Sequence, residues 1–289
     1  MTEAKTHTLE VPGAVLTYDV REAPASTAPV LLIIGSPMGA DGFVSLAERF
    51  PDRTVVTYDP RGVGRSIKTD DTSESTPDEH ADDLHRLIDA IGEGPVDLFA
   101  SSGGAVNALA LVARHPEQVR TLVAHEPPAA QELPDRETAL AAVTDIRQTY
   151  EREGFGPAMA KFIAIVGLRG PVPADFGETA PQPAAFGLPA EDDGSRNDPL
   201  LGQNLMTCNY YKHDFDALRA ASTRIVIGVG AESKDEFAHR AGLAVAERLG
   251  TEPVTFPSNH GGFLGGEYGM KGDPDGFATT LRQVLADEA

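Results

Sequence analysis

Apolar positions along the chain switch repeatedly between a period of two and a period near three and a half. Residues 6–11 and 14–20 alternate and are joined at Pro12-Gly13, which predicts an opening hairpin. Pro29-Val30-Leu31-Leu32-Ile33-Ile34 is apolar at every position, as a parallel strand covered on both faces requires. Phe43, Leu46, Ala47 and Phe50 then recur at helical spacing, and residues 53–58 read as the next strand. Thr76-Pro77-Asp78-Glu79 is a capping box with proline at the first helical position. It opens a helix whose inner face carries Leu84, Leu87, Ile88 and Ile91. Strands follow at 96–100 and 119–124, separated by a small-residue helix that stops at Pro116.

This alternation breaks at residue 127. From there to 221 the pattern gives three or four helical pieces and no buried strand. Leu140, Val143, Ile146 and Tyr150 mark one helix, residues 157–166 another, and Asp198-Pro199 caps a third. The Pro-, Gly- and acid-rich stretch 170–197 reads as loop. Strand and helix then alternate again: a strand at 225–229, a helix near 234–249, a strand at 253–256 and a last helix capped by Asp273-Pro274. The order predicts an α/β fold with a doubly wound, mostly parallel sheet, its core built from residues 1–126 and 222–289. Residues 127–221 are then a helical cap inserted into it. Ligands of such sheets bind beyond the carboxyl ends of the strands, so chemistry is sought just after strands.

The strand at 96–100 runs straight into Ser101-Ser102-Gly103-Gly104 and then into a helix. A turn that sharp holds its apex residue in a strained conformation, exposes that side chain above the sheet and aims the next N–H the same way. Small residues are needed two positions either side of the apex, where the strand and helix backbones nearly touch. Ala100 and Gly104 satisfy this for Ser102, whereas Ser101 would set Phe99 there, so Ser102 is the candidate nucleophile. Serines are also common in ordinary turns. A phosphate-binding turn is disfavoured, because neither G-x-G-x-x-G nor G-x-x-x-x-G-K-[ST] occurs.

A serine hydroxyl is a weak nucleophile without a base, and the base needs an acid to fix its tautomer. His260 follows the strand at 253–256 and is succeeded by two glycines that free its loop, which makes it the candidate base. His80, His85 and His239 fall within helices and follow no strand. Glu232, just beyond the strand at 225–229, is the preferred acid, with Asp235 and Glu126 as alternatives. An oxyanion needs preorganised N–H donors. Gly103 supplies one, and Ser36, in the Gly35-Ser36-Pro37-Met38-Gly39 loop after a central strand, is expected to supply the other.

With these residues in chain order Ser, acid, His, the chain resembles the α/β-hydrolase superfamily from about residue 14 to its end. Asp59-Pro60-Arg61-Gly62-Val63-Gly64-Arg65-Ser66 matches the D-x-R-G-x-G-x-S turn of many lidded members, where it is mainly structural. Two departures stand out: Ile34-Gly35 replaces the common His-Gly before the oxyanion residue, and Ala100 replaces a commoner glycine. Serine at the elbow argues against the dehalogenase and epoxide hydrolase branches, which have aspartate there. Gly103 argues against the haloperoxidase branch, which has methionine after the serine.

The resemblance implies a serine hydrolase of a small or medium, partly apolar ester, lactone or thioester, without cofactor or metal. Phe162, Ile163, Ile165, Met206 and Tyr210 are candidates for the pocket wall, or for the cap's own core. A C–C bond hydrolase or a biosynthetic tailoring enzyme on the same fold is the alternative, and a non-catalytic binding member the more distant one.

Charge narrows the partners. The 289 residues carry a formal charge of −20, which repels nucleic acid and anionic membranes and leaves a small-molecule substrate as the expected partner. Cys208 is the only cysteine, so an internal disulfide is excluded. The first residues lack an apolar core of the signal-peptide kind, and cytoplasmic location is expected. Oligomeric state is left open.

Overall fold

Strands apolar on both faces take the middle of a sheet because only there are both faces covered. In a computed structural model describing residues 3–179 and 181–286, the opening hairpin forms as β1 (Lys5–Val11) and β2 (Ala14–Arg21). The buried run is β3 (Leu31–Ile34). The helix expected around residues 43–50 is only a 3₁₀ turn, Ala40–Phe43, continued by a single turn, α1 (Val44–Ala47). Its apolar residues are nonetheless buried as the spacing implied. Next come β4 (Val55–Asp59) and β5 (Ile67–Lys68), a two-residue strand too short to show a period. In α2 (Pro77–Ile91) the Thr76 side chain accepts from the Glu79 N–H while the Glu79 carboxylate accepts from the Thr76 N–H, so the capping box forms as read.

The sequence continues through β6 (Val96–Ser101), α3 (Gly103–Arg114) and β7 (Val119–His125). Among the described residues only helices and turns separate β7 from the next strand. They are α4 (Arg136–Glu153), α5 (Phe155–Val166), α6 (Phe176–Thr179), α7 (Leu205–Asn209) and α8 (Phe215–Ala220). The helix capped by Asp198 starts as a π-helical stretch, Pro199–Asn204, before running into α7. Then follow β8 (Arg224–Gly230), α9 (Phe237–Leu249), β9 (Val254–Phe256) and α10 (Pro274–Ala286).

The strands join in one sheet of order β1-β2-β4-β3-β6-β7-β8-β9, with β5 paired to β2. From β4 through β9 along that order every pairing is parallel, and only the hairpin end is antiparallel. Alternate residues of each strand feed opposite faces. Leu32 and Ile34 of β3 pack with α2, α3, α8 and α9, whereas Leu31 and Ile33 pack with Phe43, Leu46 and the inner face of α10.

A third cluster belongs to the helical segment itself. Val143, Ile146 and Tyr150 of α4 close on Ala158 and Ile165 of α5 and on Leu201 and Leu205, and α9 adds Phe237 and Ala241. The segment's last helix behaves differently. Phe215 and Leu218 of α8 are buried with the sheet cluster, so packing of the expected insertion 127–221 with itself ends before α8. Polar contacts fix the segment over the sheet: Gln203 Nε2 donates to the Arg61 carbonyl at 2.7 Å, and His80 Nε2 meets Asn204 Oδ1 at 2.8 Å. On the other side the Gly170 N–H donates to the Asp235 carbonyl at 2.9 Å. No helix among the described residues is long and apolar enough to cross a membrane.

Candidate active site

The turn from β6 into α3 has the geometry its small residues implied. Ser102 adopts φ 57° and ψ −129°, a region L residues rarely occupy, while Ser101 is buried as the last residue of the strand. Close approach of the backbones explains the flanking residues. A Cβ on Gly104 would lie 2.8 Å from the Gly35 Cα, and one on Gly103 2.6 Å from the Ser36 carbonyl oxygen. The elbow is therefore pressed directly against the loop after β3, which brings the Ser102, Gly103 and Ser36 backbones together. Gly103 is the first residue of α3, so its N–H is among those a helix leaves without an acceptor in its own ladder.

That loop is held from behind by β4. Asp59 Oδ1 accepts from the Ala40 N–H at 2.8 Å, and its Oδ2 accepts from the Arg65 N–H at 2.9 Å and Nε at 2.7 Å. Arg61 is buried and lays its guanidinium along both oxygens of Asp83, at 2.7 and 2.8 Å. Both residues are thus occupied in holding loops, the structural role expected of them.

His260 lies in the loop after β9, where Asn259 Oδ1 accepts from the Gly261 N–H at 2.9 Å to form a tight turn. Its Nδ1 stands 2.6 Å from a carboxylate oxygen, and that carboxylate is Glu126, not Glu232. Glu232 is exposed. Among the described residues its side chain reaches Ser258 Oγ, at 3.5 Å, and Asp235 is exposed too. The structure therefore places at His260 not the preferred acid, Glu232, but the alternative at the end of β7.

The sheet register supplies the reason. Ser101 pairs with His125 across β6 and β7, so the next residues, Ser102 and Glu126, leave their strands at the same level. The Ser102 N–H also donates to the His125 carbonyl at 3.0 Å. Glu126 turns inward at φ 47° and is completely buried. Glu232, two residues beyond the end of β8, is exposed to solvent.

Burial alone would raise the Glu126 carboxyl, but the hydrogen bond and charge of His260 outweigh it and hold the group down at about 2. Its Oε2 faces His260, and its Oε1 accepts from the Gly230 N–H at 2.8 Å and from the Ser233 hydroxyl. A carboxylate on Nδ1 makes that nitrogen the donor and leaves Nε2 with the lone pair, the tautomer a general base needs.

Two neighbours escaped the sequence reading. Ser233 was visible only as the end of Gly230-Ala231-Glu232-Ser233. His125, the last residue of β7, is fully buried, and burial pushes its imidazole down to about 4. Together His125, Glu126 and His260 bring three ligand-type atoms within 4.8 Å of one another. Both Glu126 oxygens are already engaged by donors, however, and the 2.6 Å contact to His260 is a hydrogen bond's length rather than a cation's coordination shell.

The apolar residues considered for a pocket wall divide. Ile165 is buried in the helical segment's own cluster, with Phe162 and Met206 packed on it, while Ile163 and Tyr210 are exposed.

Comparison with known proteins fits this architecture. The sequence profile of the alpha/beta hydrolase fold matches residues 28–165. The uncharacterized hydrolase YraK of Bacillus subtilis is 33% identical over 271 residues, 89% of each chain. Among solved structures, a thermophilic esterase from Thermogutta terrifontis superposes with TM-score 0.65 at 21% identity, covering 98% of both chains. The enol-lactonase from Burkholderia xenovorans LB400 does so with TM-score 0.66 at 18% identity, covering 97% of this chain and all of that one. The chain belongs to the α/β-hydrolase family and is a hydrolase.

Proposed function

We propose that this protein is a serine hydrolase that cleaves a small or medium, partly apolar ester, lactone or thioester through an acyl-enzyme. The observation that carries the reading is the buried Glu126 carboxylate 2.6 Å from His260 Nδ1, level with the strained Ser102 elbow. Ser102 Oγ attacks the carbonyl carbon while His260 Nε2 takes its proton. Glu126 orients the ring and stabilises the imidazolium that forms. The Gly103 and Ser36 N–H groups receive the oxyanion, each donor worth about 10²–10³ in turnover. The imidazolium then protonates the leaving alcohol or thiol. Water, deprotonated by the same nitrogen, releases the acid and restores Ser102. Fold neighbours described as an esterase and an enol-lactonase support an ester or lactone carbonyl as the target.

A fluorophosphonate probe followed by peptide mass spectrometry tests the nucleophile. The adduct is expected on Ser102 and absent in Ser102→Ala; labelling that persists in that variant would overturn the assignment. A panel of aryl esters, lactones and acyl thioesters then identifies the acyl class. Inactivity across that panel despite labelling would point to C–C bond hydrolysis.

A further inference from the structure

We infer that Ser233 is a positioning residue for the acid, pinning the Glu126 carboxylate in the one orientation that serves His260. The inference rests on the proposed Ser102–His260–Glu126 triad. A glutamate has one more rotatable bond than an aspartate, so burial alone does not fix which way its carboxylate faces. Here Oε1 is caught from two sides, by the Gly230 N–H and the Ser233 hydroxyl, which leaves Oε2 directed at His260.

The surroundings are shaped for this hydroxyl. Ser233 is buried, and a Cβ on Gly230 would lie 2.6 Å from its Oγ, so a side chain at 230 would collide with the hydroxyl. The single hydroxyl proton has two acceptors in reach, Glu126 Oε1 and the Gly230 carbonyl at 3.2 Å. The carboxylate contact is the shorter and is charge-assisted, so the proton points there.

Ser233 never touches the reacting atoms; it acts through Glu126. Without it the carboxylate loses a donor, becomes more basic and is free to rotate. Its pull on the His260 proton then grows while its geometry loosens.

The test compares wild type, Ser233→Ala, Glu126→Gln and the double variant on an activated ester, with kcat and KM measured across pH. In Ser233→Ala, kcat is expected to fall about tenfold at unchanged KM, in line with one hydrogen bond to a charged group. The acid limb of its pH profile should move upward by about half a unit. In the Glu126→Gln background, adding Ser233→Ala should cost nothing further, because no carboxylate is left for the hydroxyl to hold towards His260. An equal loss in both backgrounds would assign Ser233 a purely structural role and overturn the inference, as would a wild-type rate and profile in Ser233→Ala. Probe labelling of Ser102 separates this failure from failure of the triad, since it reports the nucleophile whether or not Ser233 matters.

Discussion

Two glutamates follow neighbouring parallel strands near one histidine, and their environments are opposite. Glu126 is sealed and accepts three hydrogen bonds, whereas Glu232 is in water with one long contact. Glu126→Gln is therefore expected to lower kcat by about 10³–10⁴, because the amide no longer stabilises the imidazolium and can favour the wrong tautomer. Glu232→Gln should change kcat by less than about threefold, since substitutions at exposed positions away from such features have small effects. Steady-state kinetics on one aryl ester decide the ranking; the opposite order would return the role to Glu232. The positions of Ser102 and His260 just beyond their strands were legible in the sequence, because a strand pattern ends shortly before each. Which carboxylate stands at His260 was not, because two strands each offered one and the deciding fact is register. Ser101 opposite His125 sets Glu126 level with Ser102, and no local pattern carries that cross-strand alignment.

At the scale of elements, the contact that matters is between the elbow and the loop after β3. Gly104 lies so near Gly35 that even a methyl group must push backbone aside. Gly104→Ala is expected to lower stability by about 1–3 kcal/mol through overpacking and to slow turnover as the Ser36 loop shifts. Gly167→Ala, where nothing closer than 3.7 Å meets the added carbon, should stay within about 0.5 kcal/mol of wild type. Denaturant midpoints check both. The elbow could be read in advance because a change of hydrophobic period and a run of small residues coincide there. The packing partner of α8 could not. α8 has the same apolar spacing whether it serves the cap or the sheet, and only its contact with the sheet cluster distinguishes the two.

For the molecule as a whole, acidity is the weak direction. His80, His125 and His213 are each driven down to about 4 by burial, against an ordinary value of 6.5. Between those values the unfolded chain binds protons that the folded chain refuses, so stability falls as pH falls. Each ring contributes up to about 1.4 kcal/mol per pH unit in that window. Glu126 extends the loss further: its carboxyl lies at about 2 against 4.5, so its stabilisation is complete above 4.5 and fades as pH drops towards 2. His213 offers a test away from the site, because both its ring nitrogens are sealed without a partner among the described residues and its ring packs edge-on against Tyr211 and Phe215. Replacing it, His213→Phe, should stabilise the protein by about 2 kcal/mol more at pH 5 than at pH 8, read from urea midpoints at the two pH values. An equal effect at both would show that the ring already carries its proton in the fold.

The acid's place at the end of β7 also decides how this enzyme can be rebuilt. Glu126 is followed at once by Pro127-Pro128, where the chain leaves the sheet for the helical segment, and that segment touches the loop carrying Ser233 through Gly170 and Arg169. Glu126 thus stands where the chain leaves the sheet for the helical segment. A chimera that exchanges caps to change substrate must keep its splice beyond Pro128 and retain the 169–170 contact. Otherwise the graft also displaces Glu126, and on the proposed triad a lost activity would be misread as a specificity change.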